Sequence, residues 1–279
     1  MSGAATRIRS HEPWWRVGWH ELWEYRDLFV LLVRRDLTVV YKQSILGPLW
    51  FVLQPLLSTV VFTLIFSNMA KLSTDSIPPF IFYMSGAVLW SYFAGCMNSV
   101  ATSLSTNAHL FSKVYFPRLL MPFALTTSNM AQLLLNLTIF AGFWGYGLAS
   151  GAPIHPRPGA LLLPLLMLQC GVVGLGSGLW LSAMTVKYRD LRFALGFLSQ
   201  LWMFATPVVY PTSVVGERYA WVLALNPMAG PVDFFRASFL GTPPMRPGLY
   251  LSGLAIGVVV FVTGLFLFNK IQRSFVDTI

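Results

Sequence analysis

Six stretches without a single Asp, Glu, Lys or Arg set the hydrophobic pattern of this chain: 43–70, 76–112, 119–156, 158–186, 193–216 and 247–269. A helix that crosses the hydrocarbon core of a bilayer needs roughly 20 mostly apolar residues, and each stretch is long enough. The pattern predicts an all-α integral membrane protein. Its six transmembrane helices lie near 45–66, 80–100, 122–147, 159–184, 193–210 and 249–268. An N-terminal arm, 1–43, precedes this six-span domain, 44–279.

The segments between the spans carry their own periodicities. In PWWRVGWHELWEY, 13–25, Trp15, Trp19, Leu22 and Trp23 share one helical face, with Arg16, His20, Glu21 and Glu24 away from it. Tryptophan favours the headgroup layer, so this reads as an interface helix on the leaflet, or else as a helix packed on the protein body. Residues 26–43 continue as a second charged, partly apolar helix. Pro48 falls in the first turn of the first span, where a missing N–H costs nothing, and Pro55 falls inside it, where a kink is expected. Between the fifth and sixth spans, 211–246 holds an uncharged piece, Tyr219–Val232, too short to cross and interrupted by Asn226-Pro227 and Gly230-Pro231. Two short re-entrant half-helices on the external side fit it, because irregular backbone at membrane depth must be buried in protein; a plain external loop is the alternative. GLGSG at 174–178 has no strand before it and lies mid-span, so it reads as close helix packing, as does the Gly253/Gly257 pair.

Charge then orients the chain. Fourteen of the nineteen Lys and Arg residues flank the ends that share a side with the N-terminus, which places both termini in the cytoplasm by the positive-inside rule. The net charge of +9 is thus a topology signal rather than a nucleic-acid footprint. The arm is too charged for a secretory signal, so the first apolar run is expected to be a retained anchor. A content of 10% charged residues, against about 25% in ordinary soluble domains, agrees. Cys96 and Cys170 fall within spans and read as small buried hydrophobes. No internal repeat or separate soluble domain is visible.

A catalytic constellation is missing from the sequence. His11, His20, His109 and His155 have no metal-binding spacing, and neither a nucleophile elbow nor a Walker A motif occurs. Ion-coupled transporters usually carry ionisable groups within their spans; charge-free spans point away from ion coupling and toward a partner as the energy source. Uncharged polar and aromatic groups are abundant instead. Trp50, Gln54 and Ser58 share a face of the first span, and Phe197, Gln200 and Phe204 lie near one face of the fifth, with Trp202 beside them. Aromatic rings stack on sugar faces while Gln and Ser bond hydroxyls, so such walls suit a bulky, weakly charged polymer; ordinary helix packing is the competing explanation.

Four blocks in order resemble the ABC-2-type polysaccharide-export permeases, the membrane subunits of O-antigen, capsule, teichoic-acid and galactan exporters. The first is Tyr41-Lys42-Gln43-Ser44-Ile45-Leu46-Gly47-Pro48-Leu49-Trp50 continuing to Gln54-Pro55. The second is Lys113-Val114-Tyr115-Phe116-Pro117-Arg118 followed by Met121-Pro122. The third is Val186-Lys187-Tyr188-Arg189-Asp190-Leu191, and the fourth is Asn226-Pro227-Met228 through Asp233-Phe234-Phe235-Arg236. The resemblance spans about 14–275. It implies the type V exporter fold, a homodimer around a channel lined by spans one and five, and two separate ATP-binding subunits that carry the ATP and magnesium, with no cofactor in this chain. Channel lining then falls to Trp50, Gln54, Ser58, Gln200, Trp202 and Phe204. The loop 107–118, through Lys113, Tyr115, Phe116, Pro117 and Arg118, would couple to the ATPase, with the interface helix (Trp15, Trp19, Trp23) beside it and Phe116 as an apolar knob. Asn226, Pro227, Asp233 and Arg236 would form an external gate, with Arg236 paired to Asp233 at i+3. Arg189 and Asp190 would pair within their loop or merely at the surface. The substrate implied is an undecaprenyl-linked glycan moved out of the cytoplasm of a bacterium across its inner membrane. The arm before the tyrosine motif is longer and richer in tryptophan than in minimal members.

Two other functions compete. A permease for small lipophilic compounds would share the architecture. A membrane-embedded glycolipid transferase would need catalytic acids or bases from Asp36, Asp190, His109 and Asp233, which no motif brings together.

Overall fold

In a bilayer the apolar stretches can satisfy their backbone N–H and C=O groups only within helices or closed barrels. The computed structural model describes residues 18–42, 49–111, 115–188 and 190–274, and it is helical with no strand among them. Helix α1, Trp19–Glu24, and α2, Arg26–Lys42, form the arm. Helix α3, Leu49–Phe62, continues as a π-helix over Thr63–Met69 with Pro55 inside it. Helix α4 is Pro79–Ala101; the short α5, Ser103–Thr106, and α6, Ala108–Phe111, lead toward α7, Leu120–Ala149. Helix α8, Leu163–Lys187, follows a 3-10 turn at Pro158–Leu162. Helix α9 is Leu191–Ala205, α10 is Ala220–Leu225, α11 is Ala229–Phe239 and α12 is Pro247–Ser274.

Five helical segments are long and apolar enough to cross a membrane: Val52–Met69, Pro79–Ala101, Leu120–Ala149, Pro158–Lys187 and Pro247–Gln272. The fifth expected span, near 193–210, is shorter than expected. Helix α9 has 15 residues, about 22 Å at 1.5 Å per residue, against about 30 Å of hydrocarbon. It stops because Thr206 precedes Pro207: the residue before proline is driven out of the helical region, and Thr206 is extended, with ψ 143°. The segment 211–246 forms two helices, α10 and α11, rather than a plain loop. The break falls at Asn226-Pro227 as expected. Gly230-Pro231 makes no second break, because Pro231 sits in the first turn of α11, where proline is tolerated.

Helix α4 is the pillar of the fold, packed against α3, α7, α8, α9 and α11. Its side chains Phe82, Tyr83, Met84, Leu89, Tyr92, Phe93 and Met97 are fully buried. Close packing of α8 explains GLGSG. A Cβ on Gly174 would lie 2.8 Å from Cys96 Cβ and one on Gly178 would lie 2.6 Å from Val100 Cβ, so both face α4. Gly176 faces α12 instead, where a Cβ would meet Phe261 Cα at 2.6 Å. One glycine cluster therefore seats α8 against two helices at once. Cys96 and Cys170 are free and buried.

Candidate functional site

Three regions hold the residues singled out in the sequence. The first is the start of α7 with the loop before it. Trp15, Lys113 and Arg189 lie outside the described residues. Trp19 and Trp23 are exposed on α1, and Trp19 meets Phe123 edge-on with ring centroids 6.2 Å apart. Helix α2 packs along α7. The expected apolar knob points inward: Phe116 is 6% exposed and clusters with Leu32, Leu120, Met121 and Ala124, its ring 5.3 Å from that of Phe111. The reason is local. Residues 115–117 lie outside any helix, and the apolar cluster of α2 and α7 takes Phe116. Tyr115 is the group turned outward, at 78% exposure. After Pro117, Arg118 Nη1 donates to the Gln272 carbonyl at the end of α12, at 2.5 Å, and its guanidinium lies 5.6 Å from the Phe111 ring centroid. A cation at a helix C-terminus complements the dipole there. Burial pushes the Arg118 pKa down.

The second region is the exposed face of α3 and α9. Trp50, Gln54 and Leu57 face outward on α3. On α9 the outward residues are Phe193, Phe197, Gln200, Leu201 and Phe204, one continuous stripe. Ser58 is half-buried. Trp202 does not belong to the wall: it turns inward, its ring 5.0 Å from that of Phe93. Its Nε1 donates to Asn226 Oδ1 at 3.1 Å.

The third region is a buried polar knot under α10 and α11. Asn226 uses its whole amide. Its Oδ1 accepts from Trp202 Nε1 and, at 3.0 Å, from the Met228 N–H; its Nδ2 donates to the Ala205 carbonyl at 3.1 Å and to Thr206 Oγ1 at 2.9 Å. It thus stitches the broken end of α9 to the Asn226-Pro227 break. Arg236, 3% exposed, fills all five donor sites. Nε donates to Ser85 Oγ at 3.1 Å, Nη1 to the Pro207 and Tyr210 carbonyls, and Nη2 to the Phe82 and Val208 carbonyls. Its Cζ lies 3.7 Å from the Phe82 ring centroid. The i,i+3 pairing with Asp233 is replaced by separate partners. Asp233 Oδ1 accepts from Thr212 Oγ1, and Oδ2 accepts from the Met245 N–H at 2.7 Å. Each side chain reaches the peptide groups freed by the prolines around it, which a mutual ion pair would leave unsatisfied. Burial pushes the Asp233 pKa up, against the Thr212 and Met245 hydrogen bonds and the Arg236 charge, while burial lowers that of Arg236 to about 9.

Sequence reasoning missed Gly86, Ser85 and Thr212. Gly86 leaves no periodic or charge signal, yet a Cβ there would lie 2.7 Å from Arg236 Nη2. No group of three or more His, Cys, Asp or Glu suited to a metal occurs among the described residues. The arrangement is a braced pair of helices at the Asn226-Pro227 break, an aromatic-polar helix face and a loop before α7 tied to its neighbours.

Comparisons with known proteins agree with one another. The family model of the ABC-2 type transporter matches residues 27–240. A Myxococcus xanthus protein named O-antigen export system permease protein RfbA is 31% identical over 263 residues, covering 93% of this chain and 98% of the relative. Two Klebsiella pneumoniae proteins of the same name are 27% and 26% identical over 254 and 256 residues, each covering 90% of this chain and 94% of its own length.

Proposed function

Since the chain belongs to the ABC-2 type transporter family, we propose that it is the transmembrane permease subunit of an ATP-driven exporter of an undecaprenyl-linked cell-envelope polysaccharide, of the O-antigen class. The observation that carries the proposal is similarity to O-antigen export permeases over nearly the full length of both partners, on a chain whose membrane helices carry almost no charge. The chain is a multi-pass membrane protein and a transporter's membrane component, and an ABC permease works with an ATP-binding partner.

Six spans, with the short α9 as the fifth, leave both termini in the cytoplasm of a bacterial inner membrane. Two copies face each other across α3 and α9, whose outward stripes of Trp50, Gln54, Phe197, Gln200 and Phe204 line the glycan path. Their aromatic faces and neutral amides can slide along sugar rings without holding them. Helices α10 and α11 dip in from the external side as a cap. Two ATP-binding subunits dock beneath, against Tyr115, Lys113 and the arm with Trp15, Trp19 and Trp23. ATP-driven closure moves α7 as a lever, because α2, Phe116 and Arg118 lock the loop to α7 and α12. The chain itself carries no ATPase; ATP and magnesium belong to the partner.

Co-reconstitution with a cognate ATP-binding subunit tests the reading. Proteoliposomes should export lipid-linked glycan when ATP is added, and the isolated permease should hydrolyse no ATP. ATP-dependent movement of a small lipophilic dye without any movement of glycan would replace this reading by the small-molecule one.

A further inference from the structure

A cavity of about 250 Å³ opens on the external side between the 212–217 segment and the 243–246 loop. Its floor is apolar, with Val215, Leu223, Met245 and Leu249, and its rim is charged. Across that rim Arg246 Nη2 donates to Glu217 Oε1 at 2.7 Å, with both side chains mostly in solvent. The two walls are fixed from below by one carboxylate: Thr212 and the Met245 N–H both donate to Asp233. The cavity is therefore held open by part-buried bonds to Asp233, and its mouth is bridged by an exposed ion pair, which is worth little in stability.

Its depth follows from its neighbours. Tyr219 and Trp221 are both exposed on the same short segment, and Arg218 lies over the Tyr219 ring at 5.9 Å. Exposed Tyr and Trp beside a membrane helix end mark the headgroup layer, and α12 starts at Pro247.

We propose that this cavity seats the headgroup of a zwitterionic phospholipid of the external leaflet, with its phosphate on Arg246 and its ammonium on Glu217. A guanidinium offers a planar fork to phosphate oxygens, and a carboxylate next to it answers an ammonium. The lipid exchanges one exposed ion pair for two charge-matched contacts, and the apolar floor takes its glycerol and first methylenes. An anionic headgroup would leave the Glu217 carboxylate without a cation once its phosphate had taken Arg246, and a neutral sugar would leave the ion pair shut. A lipid so placed ties the walls around α10 and the start of α12 to the bilayer. This proposal stands apart from the identity of the exported glycan.

Photo-crosslinking of the full chain tests it, in nanodiscs of equal phosphatidylethanolamine and phosphatidylglycerol, with a trace of either lipid carrying a diazirine near the glycerol end of one acyl chain so that both headgroups stay intact. Peptides covering 212–223 and 243–249 should be labelled severalfold more by the phosphatidylethanolamine probe. Glu217→Gln, on an exposed side chain, should bring the two probes to equal labelling, and Leu223→Trp should remove both by filling the floor. Equal labelling of the unaltered chain, or an unchanged preference in Glu217→Gln, overturns the proposal even if Leu223→Trp fails to fold. Labelling that soluble saccharide competes away also overturns it and assigns the cavity to sugar.

Discussion

Gly86 and Arg236 share one space: a Cβ on Gly86 would lie 2.7 Å from Arg236 Nη2 and 3.0 Å from the Val208 carbonyl that this nitrogen bonds. The close approach lets a guanidinium on α11 cross α4 and reach the non-helical peptides that follow α9. Four carbonyls and one hydroxyl depend on it.

Gly86→Ala should therefore behave as an overpacking change, which costs typically about 1–3 kcal/mol. Arg236→Met should cost more, on the order of 3 kcal/mol or above, because it leaves several buried carbonyls without donors. Thermal unfolding in detergent measures both. Equal stability of Arg236→Met and the unaltered chain would show that water replaces the guanidinium.

Trp202 and its neighbours on α9 separate packing from transport. Trp202→Phe removes the indole donor to Asn226 and should destabilise by about 1 kcal/mol. Asn226→Ala removes four bonds and should cost roughly 2–3 kcal/mol. Gln200→Ala and Phe204→Ala change outward side chains, so melting should stay within about 0.5 kcal/mol while glycan export falls. A melting loss in Gln200→Ala as large as in Trp202→Phe would place Gln200 in the packing and remove it from the path.

The architecture was legible because charge-free runs and prolines act locally. The places of α4, α7, α8 and α12 within charge-free runs were legible although their ends were not, since α12 continues through Lys270 to Ser274, and the Asn226-Pro227 break follows from backbone chemistry. Orientation within those elements was less accessible. Trp202 and Phe204 lie two positions apart on an apolar helix, and only the neighbouring α4 and Asn226 decide which one turns inward. Asp233 and Arg236 have the spacing of an ion pair, but the carbonyls released by Pro207 and Pro211, distant in sequence, outcompete it. Gly86 was invisible because its role is the absence of a side chain beside a residue 150 positions away.

Asp233 gives the packing around α11 a pH dependence of defined sign. Its folded pKa is raised above the ordinary 3.8, with burial the largest cause. A carboxyl raised by folding contributes stability that is fully present below its unfolded value and lost as pH rises through its folded value. The Asp233-dependent part of the melting temperature should thus climb as pH falls toward about 4. Asp233→Asn, neutral throughout, should flatten that part. Melting curves of the two proteins across this range decide it; a steeper acid loss in the unaltered chain than in Asp233→Asn would mean that the carboxylate is the favoured form.

Phe116 and Tyr115 make the sharpest test in the loop before α7, because adjacent residues should fail in different ways. Phe116 is buried between α2 and α7, so Phe116→Ala opens a cavity and should cost about 3–5 kcal/mol, with less assembled complex. Tyr115 projects from the same strand of chain into solvent, so Tyr115→Ala should leave folding unchanged. It should instead lower glycan export relative to ATP hydrolysed by the reconstituted complex, as expected of a residue that meets the ATP-binding subunit. Arg118→Glu should do both in part: it removes the bond to the Gln272 carbonyl and sets a negative charge at the C-terminal end of α12, where the dipole is unfavourable. Normal coupling in Tyr115→Ala, measured alongside full assembly, would move the docking surface away from this loop and onto the arm.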